Sequence, residues 1–229
     1  MMIHGLQKLT LLDYPGKTAA TVFLGGCDFN CPYCHNRGLI TGEMPPLLSD
    51  EELFSFLEKR KGLLDAVVIS GGEPCLNKGL SGLASSIKEM GYLLKLDTNG
   101  NHPNVLKELL ERGLLDYVAM DIKNSPSKYP VTTGALDLDI SRVSESISIL
   151  LHSSIDYEFR TTVVKHLHEE EDFRLIGEWI KGAKNYYLQQ FVLRESVEDK
   201  SLEAPSPEEM ERFCALAAPY VQKAAVRGV

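Results

Sequence analysis

Three cysteines dominate the chemistry open to this chain. Cys27, Cys31 and Cys34 stand at Cys-x3-Cys-x2-Cys spacing on one short stretch. An apolar run, Thr18 to Leu24, and a Gly25-Gly26 pair precede them, a pattern that predicts a strand emptying into a metal-binding loop. Thiolates are soft ligands, suited to zinc or to iron–sulfur centres. Structural zinc and ordinary iron–sulfur clusters usually take four protein ligands, and no further Cys-x2-Cys pair exists to complete a set. Three thiols on a four-iron cluster would leave one iron open to bind another molecule through its nitrogen and oxygen atoms. The competing reading is a structural zinc site completed by His35 or His4; His35 follows Cys34 directly, an awkward geometry for the same tetrahedron. The remaining two cysteines, Cys75 and Cys214, are isolated and make no disulfide framework. Cys214 falls in a predicted helix and reads as a small buried residue. Cys75 reads as structural, because a fourth thiolate would close the open position.

The elements that must position this loop follow from periodicity. Ser49-Asp50-Glu51-Glu52 is a capping box ahead of a helix carrying Leu53, Phe54 and Leu57. Ala66 to Ser70 reads as a buried strand, then Gly71-Gly72-Glu73-Pro74 as a turn, then a helix from about Leu80 to Met90. The unit repeats as a strand over Leu93 to Asp97, the turn Thr98-Asn99-Gly100, and a helix from Pro103 to near Gly113. Further strands are predicted over Tyr117–Ile122, Ile155–Val164 and Tyr186–Val192. Helices are predicted from Ile140 to Leu150, from Glu170 to Lys181, and after Ser206-Pro207-Glu208-Glu209. The segment before Lys17 reads as a Pro-Gly turn and the segment from Ala225 as a tail. Parallel strands joined by helical crossovers explain such an alternation, in a doubly wound sheet or in a barrel. The fold expected is α/β, a partial (β/α)6 barrel in one domain over residues 1–229.

Residues with chemistry recur at the predicted strand ends, where α/β folds place their sites. In Gly71-Gly72-Glu73 the glycines let backbone approach a ligand while carbonyls and a carboxylate can hold an ammonium group. Asp97-Thr98 and Asp121-Ile122-Lys123 end the next two strands. Their carboxylates suit a cation or a ribose, and Lys123 suits a ligand carboxylate, unless the group is a plain ion-pair network. Arg160 lies inside a predicted buried strand and demands an anion, either a ligand carboxylate or an internal Asp or Glu.

With 229 residues, 44% hydrophobic and 24% charged, the chain has ample material for a buried core and does not fit disordered or fibrous classes. A formal net charge of −8 argues against a broad nucleic-acid footprint. No apolar run approaches a membrane span, and the N-terminus lacks a signal-peptide pattern, so a cytoplasmic location is expected.

Read on into His35-Asn36-Arg37, the cysteine stretch resembles the cluster loop of glycyl-radical-enzyme activases of the radical S-adenosylmethionine (radical SAM) superfamily. The chain is similar to pyruvate formate-lyase activating enzyme. Its Leu11-Leu12-Asp13-Tyr14-Pro15-Gly16-Lys17 and Val22–Cys27 segments most resemble anaerobic ribonucleoside-triphosphate reductase activating proteins. The resemblance implies a [4Fe-4S] cluster on Cys27, Cys31 and Cys34, and the methionyl amine of S-adenosylmethionine at Gly71, Gly72 and Glu73. It further implies Tyr33 backbone beside the adenine, and His35 and Asn36 as cofactor contacts or loop-fixing residues. By the same resemblance Thr98 and Lys123 are expected at the cofactor site, with Arg160 there or on an internal acid; Asp97 and Asp121 are expected as ligands of a monovalent cation, and Asp13 as a contact to the partner or an ordinary turn acid. Related activases often carry a histidine near the position where Gln189-Gln190 stands here. The implied activity is reductive cleavage of S-adenosylmethionine to a 5′-deoxyadenosyl radical, which removes hydrogen from a glycine of a partner enzyme, with flavodoxin or ferredoxin as reductant. The partner expected is anaerobic ribonucleotide reductase. The alternatives are a radical SAM enzyme acting on a small molecule, RNA or peptide, and a non-enzymatic iron–sulfur or zinc module.

Overall fold

The computed structural model describes residues 3–41 and 45–228. It contains strands β1 (Ile3–Thr10), β2 (Ala19–Leu24), β3 (Ala66–Gly71), β4 (Leu93–Thr98), β5 (Tyr117–Asp121), β6 (Asp156–Val163), β7 (Tyr186–Gln190) and β8 (Ala224–Arg227). The helices are α1 (Arg37–Ile40), α2 (Asp50–Glu58), α3 (Leu80–Glu89), α4 (Pro103–Glu111), α5 (Tyr129–Thr133), α6 (Ile140–Leu151), α7 (Glu170–Trp179) and α8 (Pro207–Ala217). The eight strands follow chain order in one sheet.

All six expected strands are present, each within a few residues of its expected bounds. Two further strands flank them. β1 runs antiparallel to β2, where only a Pro-Gly turn was expected, and β8 pairs parallel with β7, where only a tail was expected. Both are hard to see for the same physical reason. β1 is buried only at its two end residues, with a glycine at its second pair, and β8 is four residues of which none is fully buried. Neither has the continuous apolar run that marks a strand covered on both faces. Helices α1 and α5 are short additions to segments read as loops.

The chain divides into two compact units, one of residues 1–28, 38–98 and 104–118, the other of residues 29–37, 99–103 and 119–229. In the first, β2, β3 and β4 are parallel, and Thr21, Val68 and Lys95 are paired in register on one face, with Phe23 and Ser70 one step on. The opposite face is apolar: Ala20, Val22, Val67, Ile69, Leu94 and Leu96 are all buried. Tyr14, Ala19, Ala66, Val68 and Tyr117 form a cluster at the amino ends of these strands, with Leu93 against it. Asp116 ties helix to strand, since one carboxylate oxygen accepts from Lys88 Nζ at 2.6 Å and from the Leu94 amide at 2.7 Å. Helix α2 starts at the expected box, with Ser49 and Glu52 each accepting from the other's backbone N–H, worth about 1 kcal/mol.

In the second unit β6, β7 and β8 are parallel, with Arg160 opposite Tyr187 and Gln189 opposite Arg227. Glu158, on the same face as Arg160, is buried and accepts both terminal nitrogens of Arg227 at 2.8 Å. The Arg227 guanidinium also stacks over the Tyr187 ring. This fork is what the short β8 contributes, a bidentate pair of the kind arginine alone makes. Behind the sheet, Phe173 of α7 stacks on Phe213 of α8 with ring centroids 4.5 Å apart. Helix α8 begins at the expected Ser206, Pro207 and Glu209 box. Cys214 is buried within it, as expected.

Candidate functional site

In the first unit three strand ends carry the candidate residues. β2 ends at Leu24, and Gly25-Gly26 lead to Cys27; β3 ends in Gly71 and passes to Gly72-Glu73; β4 ends in Asp97-Thr98. The glycine turn is laced to the segment before Cys27. The Gly72 amide donates to Leu24 O at 2.9 Å, and the Glu73 amide to Gly26 O at 2.7 Å. Gly71 has φ +123°, a conformation that favours glycine, and a Cβ on Gly72 would collide with the Gly26 carbonyl. Glycine is therefore required at both positions so that two backbone segments can run side by side.

Glu73 is wholly buried, and one of its oxygens accepts from the Cys75 amide and from Thr98 Oγ1, both at 2.9 Å. Thr98 thus touches the carboxylate expected to hold an ammonium group, and its hydroxyl orients that carboxylate. Cys75 lies beside them, its sulfur 3.7 Å from Thr98 Oγ1. Burial first, and then the adjacent Glu73 charge, push its thiol well above the ordinary range. A thiol so disposed stays protonated and acts as a buried packing group.

Asp97 is engaged by its own strand and by β3. Its Oδ1 accepts from Lys95 Nζ at 2.5 Å and its Oδ2 from Ser70 Oγ at 3.1 Å. Lys95 is 1% exposed, and its ammonium also lies 5.9 Å from the Tyr117 ring centroid. Sequence reasoning overlooked Lys95, although the signal was present: a lysine inside an apolar strand, two residues before an aspartate, must share its face. Asp13 accepts from Thr21 Oγ1 at 2.6 Å, and Thr21 lies on the sheet face that carries Lys95. Asp13 precedes the amino end of β2, and Cys27 follows the carboxyl end.

The second unit carries Cys31, Tyr33 and Cys34 on residues 29–37, held at several points. The Asn30 amide donates to Thr133 O at 2.8 Å, and Gly134, at φ +66°, leaves no room for a Cβ against the Asn30 carbonyl. Phe29 packs edge-on to Tyr129. His35 Nε2 donates to Val192 O at 2.8 Å while its ring stacks on Phe191, so it fixes the loop, one of its two expected roles. Arg37 bonds Asn30 and pairs with Glu198 at 2.8 Å. Asn36 is half-buried.

A charged triad sits with this loop. Asp121 Oδ1 accepts from Arg160 Nε and Oδ2 from Lys123 Nζ, each at 2.9 Å. Arg160 thereby has the internal carboxylate that was one of its two expected partners. Burial pushes Asp121 up, but Arg160 and Lys123 together outweigh it and bring its pKa down to about 2. Lys123 is raised well above the ordinary lysine value: burial opposes this, and the charges of Asp121, Tyr33 and Cys31 prevail. The Cys31 thiol is raised by burial and drawn down chiefly by Lys123. Two cations against one carboxylate leave an excess positive charge beside a thiol, which favours its thiolate. Sequence reasoning also overlooked His168, whose Nε2 donates to the Lys123 carbonyl at 2.8 Å, and Tyr129, whose hydroxyl donates to the Asp121 carbonyl at 3.3 Å.

Among the described residues no three His, Cys, Asp or Glu side chains converge on a single ion. Three soft thiols within residues 27–34 are the donor set a cluster would take, and the Gly71-Gly72 turn, free of side chains, is what the close approach of a ligand to backbone would use.

Comparison with known proteins gives the same answer. The model of the radical SAM superfamily matches residues 21–176. A protein of Methanocaldococcus jannaschii, provisionally named a glycyl-radical enzyme activating enzyme, is 33% identical over 100% of this chain and 96% of its own length. The pyruvate formate-lyase-activating enzyme of Clostridium pasteurianum is 33% identical over 80% of this chain and 77% of its own. The structure of Streptococcus suis SuiB bound to S-adenosylmethionine shares the fold at TM-score 0.68 and 14% identity, over 91% of this chain and 52% of that one. Radical SAM proteins use a [4Fe-4S] cluster and S-adenosylmethionine, and their fold is the partial α/β barrel expected from the sequence. The chain belongs to the radical SAM superfamily, in its glycyl-radical-enzyme activase-like family.

Proposed function

We propose that this protein activates a glycyl-radical enzyme by removing a hydrogen atom from one glycine of that partner, and that the partner is anaerobic ribonucleotide reductase. Full-length similarity to a glycyl-radical enzyme activating protein carries the activase reading, and the choice of partner rests on the resemblance of Leu11–Lys17 and Val22–Cys27. When bound, the cluster and S-adenosylmethionine supply the one-electron bond cleavage and the hydrogen-abstracting group. The chain's residues bind, orient and exclude water.

Cys27, Cys31 and Cys34 would ligate the cluster, Lys123 helping Cys31 to ionise. Gly71 and Gly72 let backbone carbonyls reach the cofactor amine, and Glu73, oriented by Thr98, neutralises it. Tyr33 lies on the loop next to the adenine. Asn36 lies on the same loop and contacts the cofactor, while His35 holds that loop in place. Arg160 and Lys123 provide the excess positive charge suited to the cofactor carboxylate. Asp97 and Asp121 serve as counter-ions to Lys95 and to the Lys123–Arg160 pair, which takes the place of the monovalent-cation role expected from the resemblance. Asp13, held by Thr21 toward the end of β2 opposite Cys27, acts as an internal turn acid, the alternative to the partner contact the resemblance implies. Flavodoxin or ferredoxin supplies the electron.

The test is anaerobic reconstitution with iron and sulfide, followed by S-adenosylmethionine, dithionite and a candidate anaerobic ribonucleotide reductase. Electron paramagnetic resonance should show a stable glycyl-radical doublet matched by 5′-deoxyadenosine. Cofactor cleavage without the doublet would refute this partner.

A further inference from the structure

Tyr33 has a buried hydroxyl with no hydrogen-bond partner. Leaving such a group unpaired costs about 1–3 kcal/mol, and a phenylalanine would fill the same space without that cost. The surroundings limit what could pair with it. Its charged and titratable neighbours are Cys31, Lys123, Tyr129 and Asp121. Lys123 has only donors to offer. Asp121 turns its side-chain oxygens to Lys123 and Arg160, Tyr129 turns its hydroxyl to the Asp121 carbonyl, and neither pairs with the Tyr33 hydroxyl. Cys31, two residues back on the same loop, is the neighbour whose strength as an acceptor would change on binding iron. As a thiol it is a weak acceptor, and as a thiolate on iron it is a much better one.

We propose that the Tyr33 hydroxyl donates a hydrogen bond to Cys31 Sγ once that sulfur is an iron-bound thiolate, and so makes the cluster easier to reduce. The inference rests on cluster ligation by Cys31 and adds the group that tunes it. Hydrogen bonds to cluster sulfurs are one of the determinants of reduction potential, because an added electron concentrates negative charge on those sulfurs. The neighbouring Lys123 ammonium acts in the same direction. Tyr33 is in this account a tuning residue, which touches neither the substrate nor the cofactor through its hydroxyl.

The test is Tyr33→Phe, read in two states with opposite expected signs. In the cluster-free protein the variant should be as stable as the wild type or more so, because an unpaired buried hydroxyl has gone. In the reconstituted protein, a redox titration followed by electron paramagnetic resonance should show the reduction equilibrium constant lowered about 5- to 10-fold, the share of a charged hydrogen bond expected to differ between oxidation states. A cluster-bearing variant that titrates as the wild type does overturns the proposal, and so does a cluster-free variant that is less stable. Should Tyr33→Phe fail to hold iron, site-specific 3-fluorotyrosine at position 33 keeps the shape and strengthens the donor. It should raise the potential, and an unchanged or lowered value overturns the proposal. A wild type that assembles no cluster would instead remove the ligation reading, and this inference with it.

Discussion

Replacing Asp121 by Asn tests the charged triad of the second unit. The wild-type carboxylate answers two cations, Arg160 and Lys123, at 2.9 Å each. The amide removes the charge, keeps the shape, and leaves both cations without that counter-ion. Breaking a buried pair by removing one partner costs about 3–5 kcal/mol. Part of this cost must depend on pH in a defined way. Asp121 is lowered from 3.8 to about 2 in the folded state, a difference that corresponds to about 2 kcal/mol. The side chain is 29% exposed, so solvent screens some of this, and about 2 kcal/mol is an upper value. A depressed carboxylate pKa stabilises the fold above the unfolded value and loses that contribution as pH falls through the folded one. Urea unfolding of wild type and Asp121→Asn, compared from pH 7 downward, should therefore give a constant gap to about pH 4 that narrows below it. Equal stabilities at pH 7, or a gap that widens in acid, would refute the triad as the source of the stabilisation.

Thr98→Val should weaken S-adenosylmethionine binding to the reconstituted protein about 10- to 100-fold, the worth of a hydrogen bond to a charged group, and Thr98→Ser should restore it. Calorimetry decides this, and a serine variant as weak as valine would show that the methyl group, rather than the bond to Glu73, matters. Gly72→Ala should force the turn away from the Gly26 carbonyl, lower the urea midpoint by the equivalent of about 1–3 kcal/mol and abolish cofactor binding. An alanine variant that binds normally would contradict the cradle. His168 is buried and neutral, its Nδ1 accepting from the Val164 amide at 3.1 Å, and burial lowers its pKa from the ordinary 6.5. Because the folded value lies below the unfolded one, stability should be constant above pH 6.5 and fall below it. Urea unfolding at pH 7.5 and 5.5 should show a drop that is smaller in His168→Gln, and an identical drop would contradict the assignment.

The cysteine loop, the glycine turn and the positions of the six central strands were legible because each depends on local chemistry. Thiol spacing, the space demanded by a close backbone approach and apolar runs covered on both faces all leave marks in the chain itself. What stayed hidden depends on partners distant in sequence. The β8 strand is recognisable only through the Arg227 fork on Glu158, 69 residues away. The pairing of Arg160 was left open between a ligand and an internal acid, and only the fold shows Asp121 at 2.9 Å. The Tyr33 hydroxyl is likewise defined by what does not reach it, a property that no sequence pattern records. Lys95 is the exception, since its place beside Asp97 followed from strand alternation.

The central claim is that three cysteines, and no other, hold a cluster with one open iron at which S-adenosylmethionine is cleaved. The most direct measurement is 5′-deoxyadenosine formed under dithionite by the anaerobically reconstituted protein and its cysteine variants. Cleavage should persist in Cys75→Ser and Cys214→Ala and vanish in Cys27→Ala, Cys31→Ala and Cys34→Ala. Cleavage that survives loss of any of those three, or that no variant including the wild type supports, would contradict the account.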